Sequence, residues 1–266
     1  MSTVDLTYWD LAASACLVLI AVAVSFFQGL GLERSLIWAA CRTVVQLLAV
    51  GYVLRWIFQV EHPVAVLALV LLMVTVAGRA AVQRSDYTFP GAKLLAFLVL
   101  LSTGLSISYV VTRGIIGLER WYEPRYLIPL LGMILGNTLT GISLGLHSLL
   151  HALKRERDVV EMELSLGASA REAVAEPMRR AVKQAMVPII NSMMVVGLVS
   201  LPGMMTGQIL AGNDPLTAVK YQIVVMFMLA ATTALTGIAM SYVTYRKLFN
   251  HNHQLLSELI SKQGTN

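Results

Sequence analysis

The chain has 266 residues, 57% hydrophobic and only 13% charged, with a mean hydropathy of +0.71. Such a composition leaves too little polar surface to close around a water-soluble core, so it excludes an ordinary soluble domain and predicts an all-α polytopic membrane protein. A net charge of +5 would suggest nucleic acid in a soluble protein. Here the basic residues fall between apolar runs, where membrane orientation explains them, and no nucleic-acid partner is expected.

Met1 to Asp10 has no basic leader pattern and carries Asp5 and Asp10, so the first apolar run is read as a retained span. Runs of about twenty apolar residues cross the hydrocarbon core as helices, because backbone polar groups in lipid must bond within their own segment. Seven such runs occur, at 9–28, 35–58, 63–82, 93–112, 126–153, 184–203 and 215–245. Together they predict one transmembrane domain over residues 1–266, lying among membrane lipid. Cys16 and Cys41 fall inside the first two runs and read as small hydrophobes, with no disulfide or metal pairing implied.

Seven spans put the termini on opposite sides. With the N-terminus outside, the outer face carries five of the 20 Lys and Arg residues (Arg55, Arg113, Arg120, Arg125 and Lys220), Arg42 lies within a span, and the other fourteen are cytoplasmic. That asymmetry predicts an outside N-terminus and a cytoplasmic C-terminus. Along the outer segment 113–125 and just beyond it, Trp121, Tyr122 and Tyr126 read as an interfacial aromatic belt.

An ionisable side chain within a span costs about 2.5–3.5 kcal/mol by insertion scales, so each needs a reason. Arg42, on the order of 10 Å deep, either lines a polar seam with Gln46 one turn on or snorkels to the headgroups. In the fifth run, Gly132, Gly136, Gly141 and Gly145 surround Asn137, Thr138 and Thr140. Small residues four apart let helices approach closely, and the amide and hydroxyls could instead line a polar pathway.

The charged segment 154–183 organises the chain. Val160 with Leu164, and Met162 with Leu166, are i, i+4 pairs on a short helix that Gly167 should end. Ser169 with Glu172 forms an S-x-x-E capping box that starts a second helix. A helix-turn-helix of this kind suits docking on a soluble protein. A lipid-binding loop is the alternative, and the mixture of Glu161, Glu163 and Glu172 with the basic residues favours the protein partner.

Residues 191–214 are the most unusual in the oil. Asn191, Pro202, Gly203, Met204, Met205 and Gln208 form a candidate gate, since Pro202-Gly203 should break a helix at membrane depth. Met193, Met194, Met204 and Met205 offer thioethers suited to soft ions, or else fill gaps in an apolar core. No Asp or Glu lies mid-span, which weighs against an ion-coupled secondary carrier. Phosphate-loop, zinc-ligand and nucleophile-elbow patterns are absent from the sequence, so the chain is expected to hydrolyse nothing by itself.

The stretch from Val196 to Gly212 (VGLVSLPGMMTGQILAG), followed by Asp214-Pro215 and Lys220-Tyr221-Gln222, resembles the permease family of bacterial iron-export ABC transporters (FetB-like) and the related plant aluminium-tolerance membrane proteins. Matching pieces are Arg42 with Gln46, Val50-Gly51-Tyr52, Gly132-Met133, Gly136-Asn137 and Leu164-Ser165-Leu166-Gly167-Ala168, so the resemblance covers nearly the whole chain. It implies a multi-pass permease of the cell inner membrane, paired as a homodimer with a cytoplasmic ABC ATPase subunit, exporting iron and contributing to metal and oxidative-stress resistance. ATP-Mg would be bound by that partner and no cofactor by this chain. The resemblance also assigns ATPase docking to Glu161, Glu163, Leu164, Ser165, Leu166, Gly167, Ala168 and Ser169. Two departures stand out. Met162 and Glu163 replace a usual pair of alanines, and Arg179-Arg180 stand where Leu-Pro is expected. An ion-coupled carrier and a non-transporting scaffold for an ATPase remain the alternatives.

Overall fold

The computed structural model describes residues 7–60, 62–250 and 252–263, so Asp5 lies outside the described residues. The protein is mainly helical, and among the described residues six helices are long and apolar enough to cross a membrane. They are α1 (Tyr8–Phe27), α2 (Glu33–Val60), α3 (Pro63–Gln83), α4 (Ala92–Tyr109, extended by a π-helical turn Val110–Ile115), α5 (Pro124–Arg155) and α10 (Pro215–Leu248). Between α5 and α10 run α6 (Arg157–Ser165), α7 (Ala170–Ala173), α8 (Ala175–Val195) and α9 (Gly203–Leu210). Two short strands, β1 (Tyr87–Thr88) and β2 (Ser261–Lys262), pair antiparallel and bring the tail back to the α3–α4 loop.

The starts of the long helices are written in the sequence. Pro63, Pro124 and Pro215 each stand in the first turn, where a missing N–H costs nothing. Asp214 accepts from the backbone N–H and the hydroxyl of Thr217, and the Nδ1 of His62 accepts from Val64.

The helical body is built around α5. Its 32 residues pack against α3, α4, α8 and α10, with Leu131, Ile134, Leu150 and Leu153 fully buried. The hydroxyl of Ser143 donates to the carbonyl of Ala81 at 2.9 Å, tying α5 to α3. Gly141 and Gly145 let α8 come close. A Cβ on Gly145 would lie 3.2 Å from both the Ala181 carbonyl oxygen and the Ala185 Cβ, and one on Gly141 would meet Thr233 of α10 at 3.0 Å. By contrast, a Cβ on Gly136 would meet nothing within 4 Å and one on Gly132 would make only ordinary contact with Met73 Cε at 3.5 Å, so the first glycine pair does not bring two helix backbones together.

α1 and α2 form a hairpin that stands apart. Its turn is held by the Ser25 hydroxyl, which donates to Glu33 and accepts from the N–H of Leu32. It meets the body through Ile57, with Leu54 and Phe58 beside it, and both helices are otherwise exposed along nearly their whole length.

Two expectations change. The run 184–203 is not among the six long apolar helices: α8 begins earlier, in charged sequence, and stops at Val195. The break is also not made by Pro202-Gly203. The chain leaves α8 at Val196, whose backbone is extended, and turns at Gly197, which takes a left-handed φ of 83°, whereas Pro202 is the N-cap of α9, a position suited to its fixed φ. The interval 196–202 folds on itself, with Gly197 donating to Ser200 and Val199 to Val195.

The packing predicts that Gly145→Leu lowers the thermal midpoint of the purified protein, by overpacking that costs about 1–3 kcal/mol. Gly136→Ala should leave it unchanged or raise it. Equal midpoints for Gly145→Leu and the parent would overturn the close-packing account.

Candidate functional site: the charged elbow and the broken helix

At the charged end of the body, α5 turns through Glu156 into α6. The side chain of Val160 is buried and Leu164 packs partly against the core, while Val159, Met162 and Leu166 are exposed, Leu166 at 81%. The two i, i+4 pairs therefore face opposite ways, one holding the elbow to the body and the other presenting an apolar surface. Arg157 Nε lies 2.6 Å from Glu161 Oε1, and the Ser165 hydroxyl donates to the Glu161 carbonyl. Glu163, like Ala168 and Ser169, is half-buried.

Gly167 terminates α6 with a φ of 95°. The N–H of Ala168 donates to the Glu163 carbonyl and that of Gly167 to Leu164, both at 3.1 Å, which together make a Schellman motif. Ser169 then caps α7. Its N–H and hydroxyl donate to Glu172 Oε2 at 2.8 and 2.7 Å, and its oxygen accepts from the Glu172 N–H. The second helix of the elbow is shorter than expected: α7 spans one turn before Val174 interrupts it. Pro177 supplies the reason, since it has no N–H to give to the carbonyl of Ala173.

Sequence reasoning missed what braces this elbow. Nδ1 of His253, in the tail, accepts from the Ala170 N–H at 3.1 Å, although His253 holds a left-handed φ of 58°. Arg180 of α8 is paired with Glu156. Neither partner could be found from local spacing, because 83 residues separate Ala170 from His253.

At the opposite end, a cavity of about 370 Å³ lies between α5, α9 and the start of α10. Met204 and Gln208 line it together with Arg125, Tyr126, Met133 and Tyr221. Asn137, one turn from Met133, donates to the Met133 carbonyl, and the buried Thr138 donates to that of Ile134. Met193 and Met204 pack on the same apolar cluster, but Met194 is 73% exposed, so the four predicted thioethers do not share one face. Met205 is half-buried, and Asn191 is exposed. Arg42 and Gln46 do not line this cavity; both are exposed on α2, Arg42 about 22 Å along the helix from the Ile57 contact.

A family model described as "Uncharacterised protein family (UPF0014)" matches residues 8–249. The chain is 42% identical over 256 residues to a UPF0014 membrane protein of Synechocystis, covering 95% of this chain and 98% of that one. It is 36% identical over 263 residues to the "Probable iron export permease protein FetB" of Escherichia coli, covering 99% and 100%. Identity to the Arabidopsis thaliana "Protein ALUMINUM SENSITIVE 3" is 34% over 250 residues, covering 94% and 90%. No solved structure matches the chain.

The capping geometry fixes a pH response. Hydrogen bonds from the Ser169 hydroxyl and then from its backbone N–H hold the Glu172 carboxyl below its ordinary value. The cap is thus fully formed above an ordinary glutamate pKa of about 4.3 and is lost as pH falls through the lowered value. Amide exchange in α7, corrected for intrinsic rates, should accelerate on acidification below about pH 4, and Glu172→Gln should flatten that dependence. The same acid response in the variant would contradict it.

Proposed function

The chain belongs to the UPF0014 family of membrane proteins, and on that premise we propose that it is the transmembrane permease subunit of an ABC transporter, exporting iron from the cytoplasm across the inner membrane. The observation that carries the reading is the elbow. Val159, Met162 and Leu166 present exposed apolar surface at the charged end, beyond the last apolar turn of α5, which in this reading stands outside the hydrocarbon. Exposed apolar area rimmed by charge is the mark of a protein contact, and the partner that would fit is a soluble ATPase holding ATP-Mg. Glu161–Ser169 is the docking segment in this reading.

In this arrangement α8 and α9 together supply a seventh, broken crossing. The N-terminus is outside and the tail cytoplasmic, in keeping with the distribution of Lys and Arg. Two copies pair. The exposed turn 196–202 and the exposed Arg42–Gln46 face both support pairing, because irregular backbone and a guanidinium at membrane depth need cover from protein or water. Closure of the ATPases draws the two elbows together, and α5 and α8, which leave the elbow on either side, carry the movement to the cavity lined by Met204 and Gln208. Gln208, Met204, Pro202 and Gly203 shape the gate, with Asn137 and Thr138 one turn below it.

Proteoliposomes holding this chain should move Fe(II) under reducing conditions only when its ATPase and ATP are present. Movement with the chain alone would favour a carrier, and a stable complex that moves nothing would favour a scaffold. Gly167→Val, which forces a side chain into a left-handed backbone at about 1–2 kcal/mol, should leave assembly and ATP hydrolysis near normal and reduce transport roughly tenfold, a change worth about 1.4 kcal/mol in coupling. Undiminished coupling in that variant would refute the elbow's role.

A further inference from the structure

We infer that His147, His151 and Asp86 form a binding site for a borderline divalent transition-metal ion, such as Fe(II), at the charged end of the body. The two histidines are i, i+4 on α5, so they project from one face of a helix whose backbone is buried in the core. Their rings stack with centroids 5.6 Å apart and an interplanar angle of 24°. Asp86, from the α3–α4 loop, places Oδ2 3.6 Å from His147 Nδ1. That separation is long for a hydrogen bond. It lies close to the roughly 3.0–3.4 Å between two donors that each stand about 2.1 Å from one metal ion.

The backbone that carries Asp86 is pinned. Its carbonyl accepts from the Gln263 N–H at 2.8 Å, and the next residue, Tyr87, is paired with Lys262 across β1 and β2. Its side chain is 75% exposed and free to turn. Among the described residues no three His, Cys, Asp or Glu side chains already converge on one point, and the two imidazoles lie stacked, so the set closes only by rotation of both rings together with the Asp86 carboxylate. Around it lie two polar cavities, of about 300 and 550 Å³, that share His151 as a lining residue. Arg180, which lines the first, is engaged by Glu156, so its charge is offset within the cavity.

The donor chemistry selects the ion. Two imidazoles and one carboxylate with open positions suit Fe(II) and its neighbours, whereas Mg(II) and Ca(II) prefer all-oxygen sets and Cu(I) prefers sulfur. The exposure of His147 and Asp86 leaves room for water ligands and for exchange. In the permease reading, on which this role rests, the site receives the ion from the cytoplasm before it enters the path. The binding itself does not depend on that reading.

Cobalt(II) titration of the full-length protein in detergent micelles, freed of any affinity tag, tests the site through the visible d–d absorption of the bound ion. Wild type should take up one equivalent. His147→Gln/His151→Gln should abolish the signal, and Asp86→Asn should weaken binding about tenfold or more. Met193→Leu/Met194→Leu should bind as wild type does. All four proteins should melt at similar temperatures, because the substituted histidines and Asp86 lie at the surface of the fold and Met→Leu conserves side-chain volume; if the double-glutamine variant fails to fold, the single variant His151→Gln carries the test. Equal binding by wild type and the histidine variants, or no saturable binding by wild type, would overturn the inference. Since no ATPase is present, either failure leaves the permease reading standing.

Discussion

The close approach of α5, α8 and α10 is the constraint on which the rest depends. Gly141 and Gly145 of α5 face Ala181 and Ala185 of α8, and Gly237 of α10 lies so near that an added Cβ would stand 3.4 Å from the Ala185 Cβ. Between apolar helices in lipid there is no hydrophobic drive to associate, so contact area gained by small residues must do the work. With those three helices locked, the ends of α5 and α8 are fixed relative to each other, and the elbow that joins them becomes a rigid piece.

Local hydrogen bonding shapes the elbow within that frame. One glycine with a positive φ reverses the chain, a Schellman pair closes the helix before it, and a reciprocal Ser–Glu cap opens the helix after it. Little of this rests on burial, which is why the segment can leave Met162 and Leu166 in solvent and still hold one shape. The body beneath it supplies Val160 and the paired Arg180 and Glu156 as anchors.

The features governed by nearest neighbours along the chain were legible in the sequence. Apolar length gave the six long helices, Gly167 and Ser169 gave the turn and the cap, and the glycine pairs in the fifth run gave a packing face, although only Gly141 and Gly145 serve as one. The break after α8 falls before Pro202, because a proline is as well suited to starting a helix as to ending one. Contacts made over long separations were invisible. Nothing in the periodicity of α5 announces that His147 will meet Asp86, or that a strand of two residues near position 261 will find Tyr87. Such pairings are decided by where helices of different lengths end, and single-sequence patterns do not carry that information.

The returning tail also sets an order of assembly during synthesis. The ribosome makes Ala170 83 residues before the histidine that accepts its N–H, an interval of about 4–17 s at roughly 5–20 residues per second. Through that time the elbow lacks its His253 contact and the α3–α4 loop lacks its strand partner. The helical body must therefore insert and pack first, and the charged end acquires its final shape only after residues 253–262 have cleared the exit tunnel.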